Sequence, residues 1–330
     1  MTSSTFELEE FEAGITRIEL PPLGGHGAAL SGPVNVYLID GPSPALINAG
    51  HPSQADLLLE SLRECQIEPS SIERIVATSW AIDVVGGATR FPRADLFVMS
   101  PDMAAPRDYD THLENRRRAL GRLAAELADQ DPEFRRQPVD DDIAAFFPRS
   151  TRSLSFAPLR NGHFLRAGEL DLEVLATAGP GPGHMALFCA DHQLLFCGDF
   201  AMSGLPDRLT DPQSYLVSLQ RLAELPSELV LPNRSRPYQQ GRWTVTRAAN
   251  FLNSFLSNAP AALFNAPTVL EFLERDRGLG PDRPTELVVN VELFQKLFDE
   301  LVRSNAIAAA GRGITRRYGV DVDDPRAKLR

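Results

Sequence analysis

The fold of this 330-residue chain is decided by one stretch, Ile75-Val-Ala-Thr-Ser-Trp-Ala-Ile-Asp-Val-Val-Gly-Gly87. Its first half is apolar, so residues 72–78 are predicted to form a buried strand. The strand leads into a tight turn with two glycines, and a single carboxylate, Asp83, stands just before that turn. The stretch therefore predicts a buried strand followed by a loop that presents one acidic side chain.

Strands and helices alternate on both sides of this stretch. Residues 34–39 are predicted to form a strand that enters a tight turn, and residues 45–50 form the returning strand. Ser53 is a suitable N-cap for the helix that follows, because Asp56 stands three residues later. Another strand is predicted for residues 94–100. This alternation indicates a layered α/β domain rather than an all-β one.

The middle of the chain, from residue 103 to about residue 150, is charged and helical in pattern. We interpret it as a helical insertion at one edge of the domain. Within it, Arg116-Arg-Arg118 is interpreted as a solvated helix face, because acidic residues lie nearby. The acidic residues 140–142 are interpreted in the same way, as a solvated turn and N-cap region.

The second half of the chain returns to strands. Thr177-Ala-Gly-Pro-Gly-Pro-Gly-His184 is predicted to be an irregular loop, because so many Gly and Pro residues cannot join a sheet. Asp199 follows Gly198 at a strand end, where functional carboxylates of layered folds often lie. Residues 160–165 are predicted to be a turn that leads into a strand, and the further predicted strands are 170–176, 185–189, 193–197 and 229–232.

A helix is predicted for residues 213–225, and the pattern beyond residue 241 is helical apart from a strand-like segment at 313–318. We place a domain boundary near residues 238–245. The prediction is a domain of residues 1–240, which includes the insertion, and a C-terminal helical extension of residues 241–330.

Bulk properties narrow the classes of function. The net charge of -11 and the pI near 5.1 disfavour binding to nucleic acid or to an anionic membrane. Cys65, Cys189 and Cys197 show no metal-binding spacing and are interpreted as buried thiols. The acidic N-terminus lacks the apolar core of a signal peptide, and no apolar run approaches the roughly 18 residues of a membrane span. A reduced cytoplasm is the expected location.

The order of these pieces resembles the metallo-β-lactamase fold superfamily over roughly residues 14–240. The resemblance implies a four-layer αββα sandwich, and residues 294–318 resemble the winged-helix-like extension of some members. Five landmarks carry it in the family's order. They are the entry hairpin of residues 35–50, residues 78–87 in place of the T-H-x-H-x-D-H-x-G-G loop, residues 176–184 in place of the T-P-G-H loop, Gly198-Asp199 in place of G-D, and Pro232-Asn-Arg-Ser235 in place of P-G-H-G.

The family's chemistry needs a zinc or iron pair held by imidazoles and carboxylates, because the metal ions activate a bridging water. The resemblance assigns five positions of this chain to the family's metal-binding histidines, and none of the five is a histidine here. Asp83 and Asp199 remain as ligand types, and Asn48 stands where a supporting Asp is usual. The five positions are occupied by Ser79, Ala81, Val84, Pro180 and Arg234.

We therefore predict no metal cofactor of the family's kind. Two carboxylates alone would form a weak oxygen site, so a weakly held divalent cation at Asp83 and Asp199 stays open. His26 and His184 could lie near the cleft, whereas His51, His112, His163 and His192 are expected at turn or surface positions. A nucleophile pair of Ser79 and His184 lacks a supporting sequence motif.

Two carboxylates without a cation would repel each other, and one should then take up a proton. Arg234 offers another solution, since a guanidinium from the terminal histidine position could lie between Asp83 and Asp199 and donate hydrogen bonds to them. Our hypothesis is that Arg234 forms a salt-bridged plug there. The alternative is that Arg234 points to solvent and Asp199 caps local backbone.

Three functions follow from these residues. The first is a catalytically degenerate member of the fold, a pseudoenzyme that binds a protein partner or small-molecule ligand and self-associates into a homo-oligomer. The second is a hydrolase of esters, thioesters or phosphoesters with a non-standard site in the same cleft, formed by Ser79, Asp83, His184, Asp199 and Arg234. The third, nucleic-acid binding through Arg303, Arg312, Arg316 and Arg317, is ranked last because Asp321, Asp323 and Asp324 follow.

Overall fold

Two β-sheets lie face to face at the centre of the computed structural model, and helices cover their outer sides. The structure describes residues 6–100, 109–148, 154–181, 183–263 and 267–319. The predicted four-layer αββα arrangement is confirmed, and it explains the long buried strands, because a strand between two layers needs apolar side chains on both faces.

The first sheet has seven strands among the described residues, and their order in the sheet is their order in the chain. They are β1 (Glu7–Phe11), β2 (Ile15–Leu20), β3 (Val34–Ile39), β4 (Ala45–Ile47), β5 (Arg74–Ala77), β6 (Asp95–Met99) and β7 (Phe156–Leu159). Neighbours are antiparallel from β1 to β4 and parallel from β4 to β7. The two edge strands are not among the predicted ones, because β1 is acidic and exposed and β7 contains Pro158.

The second sheet has six strands in the described part of the chain. They are β8 (Phe164–Ala167), β9 (Leu170–Ala176), β10 (Met185–Cys189), β11 (Leu194–Gly198), β12 (Leu229–Pro232) and β13 (Tyr238–Gln239). Their order is β13-β12-β11-β10-β9-β8, and only the β11–β12 pair is parallel. Cys189 and Cys197 are buried within these strands, as the sequence predicts, whereas Cys65 is only partly buried, so the prediction is wrong for that thiol.

Eight α-helices occur in the described ranges. They are α1 (Ala55–Glu64), α2 (Ile82–Val85), α3 (Tyr109–Gln130), α4 (Arg136–Phe146), α5 (Pro212–Leu222), α6 (Gly241–Ala262), α7 (Val269–Arg277) and α8 (Pro284–Arg303). Helices α3 and α4 form the predicted insertion. After α8, β14 (Ala308–Ala310) and β15 (Arg317–Gly319) form a two-stranded antiparallel sheet, so only the end of the strand-like segment 313–318 is a strand.

Strand β3 shows how the layers are held together. Val36 and Leu38 point to the helical side of the first sheet, whereas Tyr37 and Ile39 pack between the two sheets. All four side chains are buried, so each face of the strand contributes apolar surface to a different layer.

The C-terminal helices pack directly on the insertion. Thr285 Oγ1 of α8 donates a hydrogen bond to Asp142 Oδ2 of α4 over 2.7 Å, and Asp142 Oδ1 accepts another from Gly27 N over 2.8 Å. The interpretation of residues 140–142 as a solvated turn is therefore wrong, because they lie inside α4 and Asp142 joins three parts of the chain. The boundary near residues 238–245 stays a prediction, and α6 begins at Gly241.

The start of α1 also differs from the prediction. A short 3-10 turn, Pro52–Gln54, precedes the helix, and His51 rather than Ser53 is the capping residue, since its Nδ1 accepts from Ser53 N over 3.1 Å. His51 lies at a turn as expected, but it is completely buried and its Nε2 is bonded to Phe146 O over 2.9 Å, so a surface position is excluded. None of the described helices is both long enough and apolar enough to cross a membrane.

Candidate functional site

Strands from both sheets end at one edge of the sandwich, and their last residues form a common cluster. Thr78 and Ser79 follow β5, Asp199 follows β11, and Asn233 and Arg234 follow β12. Asp83 reaches the same place from the first turn of α2. In layered α/β folds, the loops that follow the carboxyl ends of the strands commonly form a crevice in which functional side chains meet.

Two glycines allow this convergence. A Cβ on Gly87 would lie 2.0 Å from the carbonyl oxygen of Ala49, so only glycine lets the loop after α2 pack against the end of β4. Gly198 has a φ of +66°, and a Cβ there would lie 2.3 Å from His184 Nε2. Glycine at these positions therefore fixes where Asp83 and Asp199 stand.

Asp83 is held by two guanidinium groups. Arg208 Nη2 lies 2.6 Å from both Asp83 Oδ1 and Asp83 Oδ2, and Arg234 Nη2 donates to Oδ2 as well. Asp83 is completely buried, and burial alone would raise its pKa. The positive charges of Arg208 and Arg234 outweigh burial and hold the pKa of Asp83 well below its usual range, so it is ionised.

Asp199 is held mainly by neutral groups. Ser79 Oγ donates to Asp199 Oδ2 over 2.8 Å, and Asn233 Nδ2 donates to Oδ1 over 2.9 Å. Arg208 Nη1 and Arg234 Nε each lie 3.8 Å from this carboxylate. Burial would raise the pKa of Asp199, but the two arginine charges lower it, so neither carboxylate of the cluster takes up the proton considered above.

An amide network supports the carboxylates from behind. Asn48 Nδ2 donates to Asn233 Oδ1 over 2.7 Å, and Asn48 Oδ1 accepts from both Thr78 N and Thr78 Oγ1 at 3.0 Å. Asn48 has a φ of 68°, a left-handed conformation that Asn tolerates better than most residues. The network gives Asn233 a fixed orientation, so its Nδ2 also contacts Thr78 Oγ1 at 2.9 Å.

His184 lies next to the cluster, but its ring is fully engaged. Its Nε2 accepts a hydrogen bond from Asp199 N over 2.9 Å, and its Nδ1 is 2.9 Å from both Thr177 O and Thr177 Oγ1. A ring that accepts at Nε2 carries its proton on Nδ1. Burial lowers the pKa of His184, so the neutral ring positions the Gly198–Asp199 backbone rather than acting as a base toward Ser79.

A cavity of about 380 Å³ lies in front of this cluster, between the strand ends, the insertion and α8. Ser79, Asp199 and Arg208 form its polar floor. Its remaining walls are largely apolar, and they are contributed by α3, the end of α4 and α8. The apolar lining residues are Leu30, Trp80, Ala81, Ile82, Leu113, Ala119, Leu120, Phe146, Phe147, Pro180, Leu209, Val289 and Leu293.

The wall opposite the cluster carries a second charged group. Arg116 of α3 donates from Nη1 to Glu292 Oε1 and from Nη2 to Oε2, the latter over 2.6 Å, and Lys296 Nζ lies 3.2 Å from Oε1. Burial would raise the pKa of Glu292, but hydrogen bonds and charge from Arg116, with help from Lys296, lower it to about 2. The solvated-face interpretation is therefore wrong for Arg116; Arg117 and Arg118 pair with Glu114.

The structure brings together four of the five candidate cleft residues, namely Ser79, Asp83, Asp199 and Arg234, and places His184 behind them. The contact between Arg234 and Asp83 expected from the sequence is present. Of the other mapped ligand positions, Ala81 and Pro180 line the cavity, whereas Val84 is completely buried. His112 also lines the cavity, contrary to its expected surface position, and the His26 side chain is 68% exposed beside Asp142.

Sequence reasoning missed Arg208 and the roles of Asn233 and Thr78. Arg208 lies in an irregular loop after β11, where no periodic pattern draws attention to it. The signal that could have found it is charge balance, because two buried carboxylates need two cations and Arg234 supplies one.

Two sheets sandwiched between helices, with a polar cluster at the strand ends, are the arrangement expected of the metallo-β-lactamase type of α/β protein. The sequence model of the metallo-beta-lactamase superfamily matches residues 30–233, which is more than half of the chain. The chain belongs to this superfamily.

Solved structures extend the likeness of the fold to the C-terminal helices. A metallo-beta-lactamase family protein from Thermus thermophilus matches with a TM-score of 0.70 and 21% identity over 93% of this chain and 98% of that one. A beta-lactamase domain protein from Burkholderia ambifaria matches with a TM-score of 0.67 and 16% identity over 95% and 94%. A metallo-beta-lactamase from Pontibacter korlensis matches with a TM-score of 0.51 and 15% identity over 76% of this chain and 99% of that one.

Proposed function

We propose that this chain is a catalytically degenerate member of the superfamily, a pseudoenzyme that acts by binding rather than by metal-assisted hydrolysis. The proposal rests on the hydrogen bonds of Asp83, whose two carboxylate oxygens accept from Arg208 and Arg234. Two guanidinium groups and two carboxylates, with Asp199 as the second, make a cluster without net charge. In this proposal the arginines do the electrostatic work that a metal pair does in other members.

The residues present do not fit the family's metal pair. Ala81, Val84 and Pro180 have no side-chain ligand atom, and a cation at Asp83 would lie against two positive groups. Within the described residues, Arg234 Nε is buried without a hydrogen-bond partner. The unpaired Arg234 Nε is an N–H donor, whereas a metal ion needs a ligand atom with a free lone pair. No group of three or more His, Cys, Asp or Glu residues able to hold a metal occurs in the described part either.

Elemental analysis of protein purified without chelator tests the proposal. We expect less than about 0.1 equivalent of zinc, iron or manganese per chain, and the same value after incubation with excess metal and desalting. Chelator should leave the urea unfolding midpoint unchanged, because a site that needs no metal gains no stability from one. About one or two tightly held metal ions per chain would contradict the proposal.

The alternative, a hydrolase of esters, thioesters or phosphoesters without the standard site, has one observation in its favour. Ser79 lines the cavity and its hydroxyl is bonded to Asp199. A carboxylate with a lowered pKa is a weak base, however, and the ring of His184 is engaged elsewhere. A panel of p-nitrophenyl esters, thioesters and phosphoesters decides: turnover that is lost in Ser79→Ala but kept in the exposed control Ser71→Ala would establish the enzyme.

Nucleic-acid binding through the C-terminal arginines is not supported by their contacts. Arg303 pairs with Glu300 at 2.9 Å, Arg316 with Asp299 at 2.7 Å, and Arg317 with Glu271. The carboxylates neutralise these charges, so little net positive surface is left for phosphates. Self-association and a cytoplasmic location stay predictions.

A further inference from the structure

The cavity in front of the Asp83 cluster is large enough for a small organic molecule. Its volume of about 380 Å³ lies in the range of ligand sites. This is space for roughly a dozen groups the size of a water molecule. It lies between α3 and α8 on one side and the strand ends on the other, so a ligand inside would contact three separate segments of the chain.

Most of the wall can only stabilise an apolar group. Leu113 and Leu120 of α3, Phe146 and Phe147 at the end of α4, and Leu293 of α8 all line the space. Apolar surface contributes to binding when it leaves water, and it offers no hydrogen bond to a polar group. The larger part of a ligand is therefore expected to be a hydrocarbon chain or ring.

Two cationic side chains in the polar part of the wall have hydrogen-bond donors to spare. Arg208 donates from Nη2 to Asp83 and its Nη1 lies 3.8 Å from Asp199 Oδ2, but within the described residues its Nη1 and Nε make no hydrogen bond. The side chain of Arg208 is 23% exposed. Lys296 Nζ donates to Leu209 O over 2.7 Å and to Glu292, which leaves one of its three N–H groups. Arg208 and Lys296 both line the cavity, and Leu209, whose carbonyl oxygen Lys296 contacts, is next to Arg208 in the chain.

The charges that line the cavity balance, since three cations face three carboxylates. They are Arg116, Arg208 and Lys296 against Asp199, Asp207 and Glu292. Asp207 is exposed at the rim, where water screens it, whereas Arg208 and Lys296 keep N–H groups without a hydrogen-bond partner in the described residues. The unused donors of these two cations, rather than a surplus of charge, favour a ligand with an anionic acceptor group.

We propose that this cavity binds a monocarboxylate with an apolar tail, its carboxylate accepting hydrogen bonds from Arg208 and Lys296 and its tail lying between α3, α4 and α8. The assignment rests on the proposed binding function and names the class of ligand. A carboxylate brings one negative charge and two acceptor oxygens to these two cationic donors, whereas a dianion would bring a second negative charge close to Asp199. A neutral ligand of the same size would fill the space but leave the donors of Arg208 and Lys296 unpaired.

Trp80 provides a direct readout, because it lines the cavity and the chain has only one other tryptophan, Trp243, which is 57% exposed. In a Trp243→Phe background, fluorescence titrations with octanoate, octanol, octylamine and octyl phosphate compare tails of equal length; octanoate has roughly ten non-hydrogen atoms and fits the space. Octanoate is expected to bind at least about tenfold more tightly than the other three. Equal or tighter binding of any of these, or no octanoate binding, overturns the assignment.

Two variants locate the bound molecule. Lys296→Met should weaken octanoate binding by about tenfold to a hundredfold and leave octanol binding nearly unchanged, since it removes a charged donor but keeps an apolar side chain. The control Arg303→Met, on the same helix outside the cavity, should change neither. Ala119→Leu should abolish binding of both by filling the space while α3 stays stable. Octanoate binding that survives Ala119→Leu, or that is unchanged in Lys296→Met, would overturn the proposal.

The same titration separates this inference from the proposed function. Chelator is present throughout, so octanoate binding cannot depend on metal. A metal-free, inactive protein that fails to bind octanoate leaves the pseudoenzyme proposal standing and removes only the ligand class. A protein that contains metal or hydrolyses octanoyl esters removes the proposed function itself, whatever its affinity for octanoate.

Discussion

Replacing Arg234 with methionine should change the charge of a buried cluster from zero to minus one. In the wild type, the two carboxylates of Asp83 and Asp199 face the two guanidinium groups of Arg208 and Arg234. Methionine keeps most of the apolar length of the side chain, so the change is mainly electrostatic. The completely buried Asp83 then keeps only one cationic partner.

The size of the effect follows from what remains. Removing one partner of a buried ion pair commonly costs about 3–5 kcal/mol in free energy of unfolding. Arg208 still contacts both oxygens of Asp83 at 2.6 Å, so we expect the lower end, about 3 kcal/mol at pH 7. Asp83→Asn together with Arg234→Met restores a neutral cluster, and the double variant should lose about 2 kcal/mol less than the sum of the single variants.

The pH dependence of this difference in stability provides an independent test. In the wild type the pKa of Asp83 is below its unfolded value, so its contribution is present above pH of about 4 and is lost as pH falls further. In Arg234→Met the pKa of Asp83 should rise, because one positive charge is gone. Proton uptake then neutralises the surplus carboxylate, so the difference in stability between the two proteins should shrink as pH falls from 7 toward 4.

Urea unfolding followed by circular dichroism measures these differences, since urea is uncharged and does not screen the cluster. Arg166→Met is the matched control, because Arg166 pairs with Asp171 at an exposed site and should cost less than about 1 kcal/mol. Single effects that add within about 0.5 kcal/mol, or an Arg234→Met penalty that does not change with pH, would refute the reasoning.

Three further changes test other parts of the structure by the same urea measurement. Asn233→Ala should cost about 2–3 kcal/mol, because it removes the amide that joins both sheets' strand ends to Asp199. Glu292→Gln should cost about 2 kcal/mol in free energy of unfolding at pH 7. The loss should fade as the pH drops from the unfolded-state pKa of about 4.5 toward the folded-state pKa of about 2, because the wild-type carboxylate is then itself protonated. Gly87→Ala should cost about 3 kcal/mol or more and lower the soluble yield, because the new methyl meets a backbone carbonyl; a variant as stable as the wild type would refute the close approach.

The sandwich could be predicted because several of its strands are buried apolar runs close to Gly and Pro, as in β3, which lies between Pro33 and Gly41-Pro42. Contact between Arg234 and Asp83 was foreseeable because both positions belong to loops that the family brings together. Arg208 was not, since its loop has neither periodicity nor a motif. The buried site of His51 was also hidden, because its position in a turn says nothing about α4 packing above it.

The cavity itself could not be predicted from local sequence. Its walls combine α3 and α8, which are far apart in the chain, and only their packing creates the space. Patterns along a helix show which side is apolar, but they do not show which partner covers it or whether a gap is left. The pairing of Arg116 with Glu292 is of this kind, because each residue alone has the pattern of an exposed helix position.

That pairing has an evolutionary consequence. Arg116 and Glu292 are separated by 176 positions, yet the two partly buried side chains neutralise each other's charge. A charge change at one position exposes the protein to the cost of an unmatched ion unless the other changes too. Sequences that share this architecture should therefore show correlated substitution at the two sites, and the insertion and the C-terminal helices should be inherited as one unit.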